Sequence, residues 1–327
     1  MKALIRSVAG LLVSLLALSA VVFALSRLAP GDPLVAYYGE RTEKMSVEER
    51  QRTLERLGLN DSIPVQYVRW MERALRGDFG ISYKYKQDVW TVIGARVGNT
   101  LLLGGLGFVL TFALALLLGV LCAAFEGRWM DRILCRAGTL SSCVPEFWLS
   151  LVLILVFSVT LKLLPSGGAY AVGRENDAPD RIRHLILPVT ALVLSHLWYY
   201  AYMLRNRLLE ETHADYVRMA RAKGLSNGQI LFRHCLRNAA PSYLSLMAAS
   251  VPHILGGTYV IEAVFSYPGL GTLSYESARY HDYNMLMVLC MLTGAAVILF
   301  GRFGKALSER LDPRVRGDGR MGEEALR

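Results

Sequence analysis

Residues 100–125 read TLLLGGLGFVLTFALALLLGVLCAAF, a run that contains no charged side chain. A helix needs about 20 apolar residues to cross the hydrocarbon core of a bilayer, and this run is long enough. In lipid a helix satisfies its own backbone hydrogen bonds, which an irregular segment cannot do. The stretch therefore predicts a transmembrane helix.

Five further apolar runs of similar length follow or precede this one. They lie at about residues 8–25, 144–164, 185–204, 243–265 and 285–303. Charged residues make up 19% of the 327-residue chain, whereas a soluble domain carries about a quarter. The chain is therefore expected to be an all-α membrane protein with six transmembrane helices. The first run could instead be a cleaved signal peptide, but it exceeds the usual length of about 7–15 residues and no clear A-x-A site follows.

Lysine and arginine are distributed unevenly between the apolar runs. The 2–3 and 4–5 connections and the C-terminal tail are rich in arginine, whereas the 5–6 connection has only Arg279. The 3–4 connection is the exception, with Lys162, Arg174, Arg181 and Arg183. Because cytoplasmic loops carry the excess of basic residues, the pattern predicts that both termini are cytoplasmic. It also accounts for the net charge of +9 without invoking nucleic acid.

Residues 29–95 separate the first two runs and predict an external segment with amphipathic helices. Ser46 and Glu49 have the spacing of a capping box, and Gly58 is expected to end the helix that follows. A second helix is expected over 65–75. Its predicted apolar face consists of Val68, Met71 and Leu75. The segment either packs as a cap on the membrane domain or docks an external partner, and the pattern leaves both open.

The connection over 205–241 is long for a compact helical bundle. Residues 215–223, DYVRMARAK, read as a short helix, and Gly224 can adopt the positive φ of a helix C-cap. Ser226 and Gln229 form an S-x-x-Q capping box before a second helix. Apolar side chains on this pair would be exposed to water unless a protein partner covers them. They are Tyr216, Met219, Ile230 and Leu231.

This connection resembles the cytoplasmic EAA loop of ABC-importer permeases, most closely those of the dipeptide, oligopeptide and nickel family. The resemblance is carried by Asp215–Val217, Ala220–Ser226, Arg233–His234, Leu236–Ala239 and Pro241, and by Asp78–Gly80, Pro145–Leu149, Ile261–Gly271 and Leu311–Arg314. These matches cover nearly the whole chain in the family's order. Two departures are that Pro241 follows Asn238 by three residues rather than four, and that Glu146 stands where relatives usually have an uncharged residue.

The resemblance implies a type I ABC importer permease fold in a bacterial inner membrane. It implies an N-terminal helix over 1–28, a permease core over 96–304 that contains the 205–241 loop, and a cytoplasmic tail over 305–327. The implied partners are a second homologous permease subunit, two ABC ATPase subunits and an external solute-binding protein. The implied solutes are peptides, nickel or metal chelates.

The chain itself is expected to be a transport subunit, not an enzyme. Near Lys305 the P-loop spacing fails, because Leu299 holds the first glycine's place and Ala306 follows the lysine. No cofactor is therefore expected on this chain, and ATP and Mg would lie on the ATPase subunits. The five cysteines lie in or beside apolar runs without C-x-x-C spacing, which predicts no metal site. They are Cys122, Cys135, Cys143, Cys235 and Cys290.

By the resemblance, the helices at 215–236 are coupling helices that contact an ATPase subunit. The residues expected in that contact are Asp215, Tyr216, Ala220, Ala222, Lys223, Gly224, Leu225 and Ser226. Ionisable residues within membrane spans are costly and indicate function. Four of them, Glu146, His196, His253 and Glu262, are the candidates for the translocation path. Interfacial positions or interhelical hydrogen bonds are the alternative roles for these four.

A transporter that is complete in one chain is the main alternative function. A secondary transporter or channel would need no ATPase, but it would leave the 205–241 connection without a role. An intramembrane enzyme is less favoured. The sequence has no H-E-x-x-H motif, and its G-x-S-x-G match at 224–228 (GLSNG) lies between two predicted helices, not after a strand.

Overall fold

The computed structural model describes residues 2–28, 34, 38, 42, 44–56 and 59–311. Over these ranges the regular secondary structure is helical, and an isolated bridge between Ile81 and Asp88 is the one strand-like pairing. The expected helix end at Gly58 and residues 312–314 of the C-terminal motif lie outside the described residues.

The helices follow the expected order along the chain. They are α1 Lys2–Leu28, α2 Val47–Arg56, α3 Ile63–Leu75, α4 Val89–Ala124, α5 Trp129–Ser142, α6 Glu146–Leu153, α7 Ala178–Thr212, α8 Asp215–Ala222, α9 Asn227–Ile230, α10 Leu236–Val264, α11 Leu270–Arg279 and α12 Tyr283–Leu311. Two π-helical stretches extend them. Ile154–Thr160 continues α6, and Leu231–Cys235 joins α9 to α10.

By length and composition, five helical segments in the described ranges can cross a membrane, and a bent pair adds a sixth if it is one span. The five are Ala9–Leu28, Val89–Ala124, Ala178–Thr212, Asn227–Val264 and Tyr283–Leu307, and the pair is Trp129–Ser141 with Glu146–Thr160. The sequence predicted one continuous third span over 144–164. Its helix begins only at Glu146, because Pro145 is extended (φ −62°, ψ 142°) and has no N–H with which to continue a helix.

The connection between the fourth and fifth spans is shorter than the 205–241 expected from sequence. Helix α7 continues to Thr212, and Arg207 on its last turns pairs with Glu210 (2.8 Å) and Glu211 (3.2 Å). Such i,i+3 and i,i+4 pairs support a helix after its apolar stretch has ended. Since α9 also runs on into the fifth span, the connection reduces to residues 213–226.

The chain divides into two compact units. Unit 1 comprises Met1–Gly98 and Pro268–Ile298, and unit 2 comprises Asn99–Tyr267 and Leu299–Arg327. In unit 1, an apolar cluster forms around the start of α4, α11 and α12. Its buried members are Val89, Val92, Ile93, Leu273, Met285, Val288 and Leu289.

Helix α3, in unit 1, buries a different face from the one expected. Trp70 is 6% exposed and its ring centroid lies 6.1 Å from that of Phe23. Partly buried residues beside it include Ile63, Tyr67, Met71 and Ala74. Val68 and Leu75 of the predicted apolar face are exposed, and of that face only Met71 packs inward. The aromatic rings decide the orientation because they bury more area than valine or leucine.

Unit 2 brings α4 close to α7 through two glycines. A Cβ at Gly107 would overlap the Leu192 side chain, and a Cβ at Gly119 would lie 3.0 Å from the Ala201 carbonyl oxygen. Small residues allow membrane helices to approach closely in this way. The contact fixes the part of α7 that carries His196.

Candidate functional site

Three of the four ionisable residues predicted within the spans meet in unit 2. His196 Nε2 lies 3.1 Å from His253 Nδ1 and 3.5 Å from Glu146 Oε1. The residues come from α7, α10 and the start of α6, so the cluster depends on the packing of three helices. Glu146, His196 and His253 together form the polar cluster of unit 2.

The tautomer of His196 follows from its backbone contact. His196 Nδ1 lies 3.0 Å from the Leu192 carbonyl oxygen, which can only accept a hydrogen bond. Nδ1 therefore carries the proton, and neutral His196 directs its Nε2 lone pair toward His253. His196 Nε2 is therefore the atom at which the three side chains of the polar cluster meet.

Gly257 makes the space in which the polar cluster forms. A Cβ at this position would lie 2.8 Å from His196 Cε1 and 3.3 Å from Glu146 Oε2. At the adjacent Gly256 a Cβ would meet no heavy atom within 4 Å. Of these two positions, only Gly257 needs glycine for steric reasons, because a Cβ there would crowd His196 and Glu146.

A cavity of about 580 Å³ lies beside the polar cluster. Its polar lining residues are Ser195, His196, Tyr199, Tyr200, Ser250 and His253. His196 is 3% exposed, whereas His253 is exposed on the surface of the chain and the Glu146 side chain is 26% exposed. Ionisable side chains at membrane depth face a bundle interior or a water-filled cavity, because lipid does not solvate them. This surface is therefore suited to a polar path.

Glu262 lies apart from the other three candidates. It is fully buried, and its carboxylate accepts a 2.6 Å hydrogen bond from Thr100 Oγ1 on α4. Its backbone carbonyl accepts a hydrogen bond from the Tyr267 N–H (2.8 Å) after the end of α10. These contacts join α10 to α4, and a place for Glu262 in the translocation path stays a prediction.

The 215–235 element consists of α8, a turn, α9 and the π-helical stretch. Gly224 ends α8 with φ +83°, and a Cβ there would meet nothing within 4 Å. Its backbone conformation, not lack of space, therefore favours glycine. Ser226 Oγ accepts from Gln229 N (3.3 Å), and Gln229 Oε1 accepts from Ser226 N (3.0 Å). The predicted capping box is confirmed.

The 215–235 element covers much of its own apolar surface. Ile230 and Leu231, which were expected to be exposed, are buried against the chain, and so is Ala220. The exposed large apolar side chains of the element are Met219 (64%) and Phe232 (62%). Of the predicted contact residues, Asp215, Ala222, Lys223, Gly224 and Ser226 are exposed, and Tyr216 and Leu225 are half-buried. Ala220 therefore packs against the rest of the chain, and its part in an ATPase contact stays a prediction.

Tyr216 joins the 215–235 element to the end of α7. Its hydroxyl donates a 2.7 Å hydrogen bond to Glu211 Oε2. Burial raises the pKa of Tyr216, and the hydrogen bond to the Glu211 carboxylate raises it further. The hydroxyl therefore stays protonated and acts as a fixed donor.

Cys122, Asp131 and Cys135 place three possible metal-ligand atoms within 4.8 Å of one another, the one such group in the described ranges. Arg205, however, donates to both Asp131 oxygens, at 2.8 and 2.7 Å. A guanidinium in that position occupies the carboxylate and repels a cation. The group is better explained as an ion pair that joins α5 to α7. Sequence reasoning missed it, although Asp131 is the single acidic residue of α5.

Two family profiles match the chain. Residues 115–317 match the family described as "Binding-protein-dependent transport system inner membrane component". Residues 1–104 match the profile described as the N-terminal part of such membrane components.

Relatives are similar over nearly their whole length. The oligopeptide transport system permease protein AppB of Bacillus subtilis (strain 168) is 34% identical over 302 residues, 92% of this chain and 95% of that protein. A Sinorhizobium fredii protein described as "Probable peptide ABC transporter permease protein y4tP" is 34% identical over 310 residues, 93% and 97% of the two chains.

A solved structure shares the fold. A chain of the inward-facing MetNI methionine ABC transporter superposes with a TM-score of 0.56 at 19% identity, over 68% of this chain and 96% of that chain. The likeness supports the type I importer permease fold that the sequence predicted.

Proposed function

The chain belongs to the family of binding-protein-dependent transport system inner membrane components, and we propose that it is the permease subunit of an ATP-driven peptide importer. The two named relatives are described as oligopeptide and peptide permeases, which favours peptides over nickel or metal chelates. The chain is a multi-pass membrane protein, and a family that depends on a separate binding protein argues against a transporter complete in one chain.

The observation that carries the proposal is the 215–235 element. It is ordered by a capping box, a positive-φ glycine and the Tyr216 hydroxyl, yet it leaves Met219 and Phe232 exposed. A segment that is held rigidly and presents apolar side chains is suited to a protein partner. In this proposal the partner is an ABC ATPase subunit, and ATP and Mg are bound there and not by this chain.

The polar cluster and its cavity supply one side of the translocation path. Because His253 and Glu146 are accessible on the chain's surface, a second permease subunit facing them would enclose the cavity and exclude lipid. Both termini and the 215–235 element lie on the cytoplasmic side in this proposal. Residues 29–95 lie outside and receive the solute-binding protein.

Co-purification tests the proposed assembly. The tagged chain, extracted in mild detergent from its own host, should bring down a second permease and P-loop ATPases identified by mass spectrometry. Gly224→Val should reduce ATPase recovery about tenfold, because a left-handed conformation costs a side-chain-bearing residue about 1–2 kcal/mol. Gly224→Asn is the matched control, since asparagine tolerates that conformation, and it should retain the ATPases.

Two results would overturn the proposal. One is purification of the parent chain alone or only with itself. The other is solute transport by the purified chain in proteoliposomes without added partners, which would restore the single-chain transporter. A monodisperse gel-filtration peak for both Gly224 variants shows that any loss of ATPase is not due to unfolding.

A further inference from the structure

A groove of about 630 Å³ in unit 1 lies beside the end of α1 and is lined in part by α3. Arg27, Gln66 and Trp70 line it, together with the exposed charged residues Arg73 and Glu72. The apolar contact between Phe23 and Trp70 holds α3 against α1 at this point. The groove is separate from the polar cluster and from the 215–235 element, which belong to unit 2.

The groove holds cationic and donor groups for which the described part of the chain supplies no anionic partner. Arg27 packs over the rings of Phe23 (5.0 Å) and Tyr283 (5.6 Å), and among the described residues no carboxylate pairs with it. Its Nε and the Trp70 indole N–H are buried and lack a hydrogen-bond acceptor in that part of the chain. Arg73 acts on Arg27 as a like charge. Leaving buried donors and a guanidinium unpaired is unfavourable, and a bound anion would satisfy them.

Arg69, the third arginine of the groove, provides a contrast. It forms an ion pair with Asp61 and is therefore already neutralised. The exposed acids Glu55, Glu72 and Asp78 also line the groove. A ligand that carries an anionic group and an ammonium group could satisfy the arginines and an acid together.

The depth of the groove in the membrane indicates where such a ligand comes from. Arg27 is the next-to-last residue of the span Ala9–Leu28, so its guanidinium lies near the end of the hydrocarbon core. Tyr67, Trp70 and Phe79 form an aromatic group at the same place, as expected at a membrane interface. Phospholipid headgroups occupy the interfacial region at this depth, just outside the hydrocarbon core.

We propose that the groove binds a zwitterionic ligand, with its phosphate or carboxylate at Arg27, Arg73 and Trp70 and its ammonium toward the exposed acids. The position of the groove near the membrane interface favours phosphatidylethanolamine as the ligand. A free peptide carries the same pair of groups, an anion and an ammonium, and would reach the groove from solution. This proposal does not require the chain to be a peptide permease, since it depends only on contacts within unit 1.

Native mass spectrometry of the purified chain tests the site with two probes, phosphatidylethanolamine and dialanine. The parent chain should retain phosphatidylethanolamine through detergent exchange. Arg27→Gln and Trp70→Phe, which remove the guanidinium and the indole N–H, should each lower the retained fraction about tenfold. Trp90→Phe and Arg76→Gln are matched controls, because Trp90 and Arg76 do not line the groove, and they should bind as the parent does.

The two probes separate the sources of the ligand. One result is that dialanine binds saturably and the chain retains no lipid. If that binding is lost in the Arg27 and Trp70 variants, the anion site is supported and its ligand is soluble. Amidation of the dialanine carboxylate should then abolish binding. The proposal is overturned if neither probe binds, or if the Arg27 and Trp90 variants lose binding equally. Unchanged thermal unfolding of each variant shows that unit 1 is intact.

Discussion

Among single residues, Gly257 tests whether the polar cluster matters for transport. Gly257→Ala places a methyl group 2.8 Å from His196 Cε1, and overpacking of this kind costs about 1–3 kcal/mol. In a helix, alanine is otherwise favoured over glycine by about 1 kcal/mol, so Gly256→Ala should be neutral or stabilising. Thermal unfolding in detergent and peptide uptake by the reconstituted importer should both fall for Gly257→Ala alone. Equal behaviour of the two variants would contradict the packing described here.

The sequence identified the residues of the polar cluster but not their arrangement. Ionisable residues in apolar runs stand out one by one, and Glu146, His196 and His253 did so. Which of them meet depends on the relative rotation of α6, α7 and α10, which no local pattern specifies. Glu262 looks the same in sequence, yet it is buried against Thr100. The requirement for Gly257 was equally invisible, because its neighbour Gly256 has the same chemistry and no contact.

At the scale of elements, the Asp131–Arg205 pair joins α5 to α7. The two side chains are 4% and 16% exposed, and removing one partner of a buried pair costs about 3–5 kcal/mol. Arg205→Met should therefore lower the unfolding temperature sharply. Asp131→Leu combined with Arg205→Met should recover most of the loss, because no unpaired charge remains. Arg207→Met is the control, since its ion pairs are more exposed and worth less than about 1 kcal/mol.

Element boundaries were predicted well where capping chemistry sets them and poorly where side-chain pairing does. The turn at Gly224 and the Ser226–Gln229 box were readable, because each depends on residues within one turn. The extension of α7 to Thr212 could not be predicted from hydropathy, which falls at Arg205. The helix continues past that point because the ion pairs of Arg207 stabilise its last turns. The buried face of α3 was predicted wrongly, because the Tyr67 and Trp70 rings pack on Phe23, a contact that the sequence pattern of α3 alone does not show.

At the scale of the whole molecule, the 215–235 element and unit 1 differ in the surroundings of their basic side chains. Around the 215–235 element the basic side chains are solvent-exposed, as for Arg218 and Lys223. In unit 1, Lys84 is bound to Glu276 (2.9 Å) and Arg96 lies 3.8 Å from the same carboxylate. Burial alone raises the pKa of Glu276, but the hydrogen bonds from Tyr85 and Lys84 outweigh it, so the net pKa is lowered and the carboxylate stays ionised. The basic side chains of the 215–235 element are therefore exposed to solvent, which agrees with the cytoplasmic position predicted for this element.

Cysteine labelling in intact cells tests that orientation. Arg76→Cys follows α3, and Lys223→Cys follows α8, and both positions are exposed. A membrane-impermeant maleimide should label Arg76→Cys in whole cells and Lys223→Cys only after lysis, with the parent chain and its five native cysteines as background. The opposite pattern would place the 215–235 element outside, where no ATPase could reach it, and would remove the coupling role together with the orientation. Labelling of both variants in intact cells would indicate that the membrane is damaged. A cytoplasmic marker protein is the control, because it stays unlabelled only if the membrane is intact.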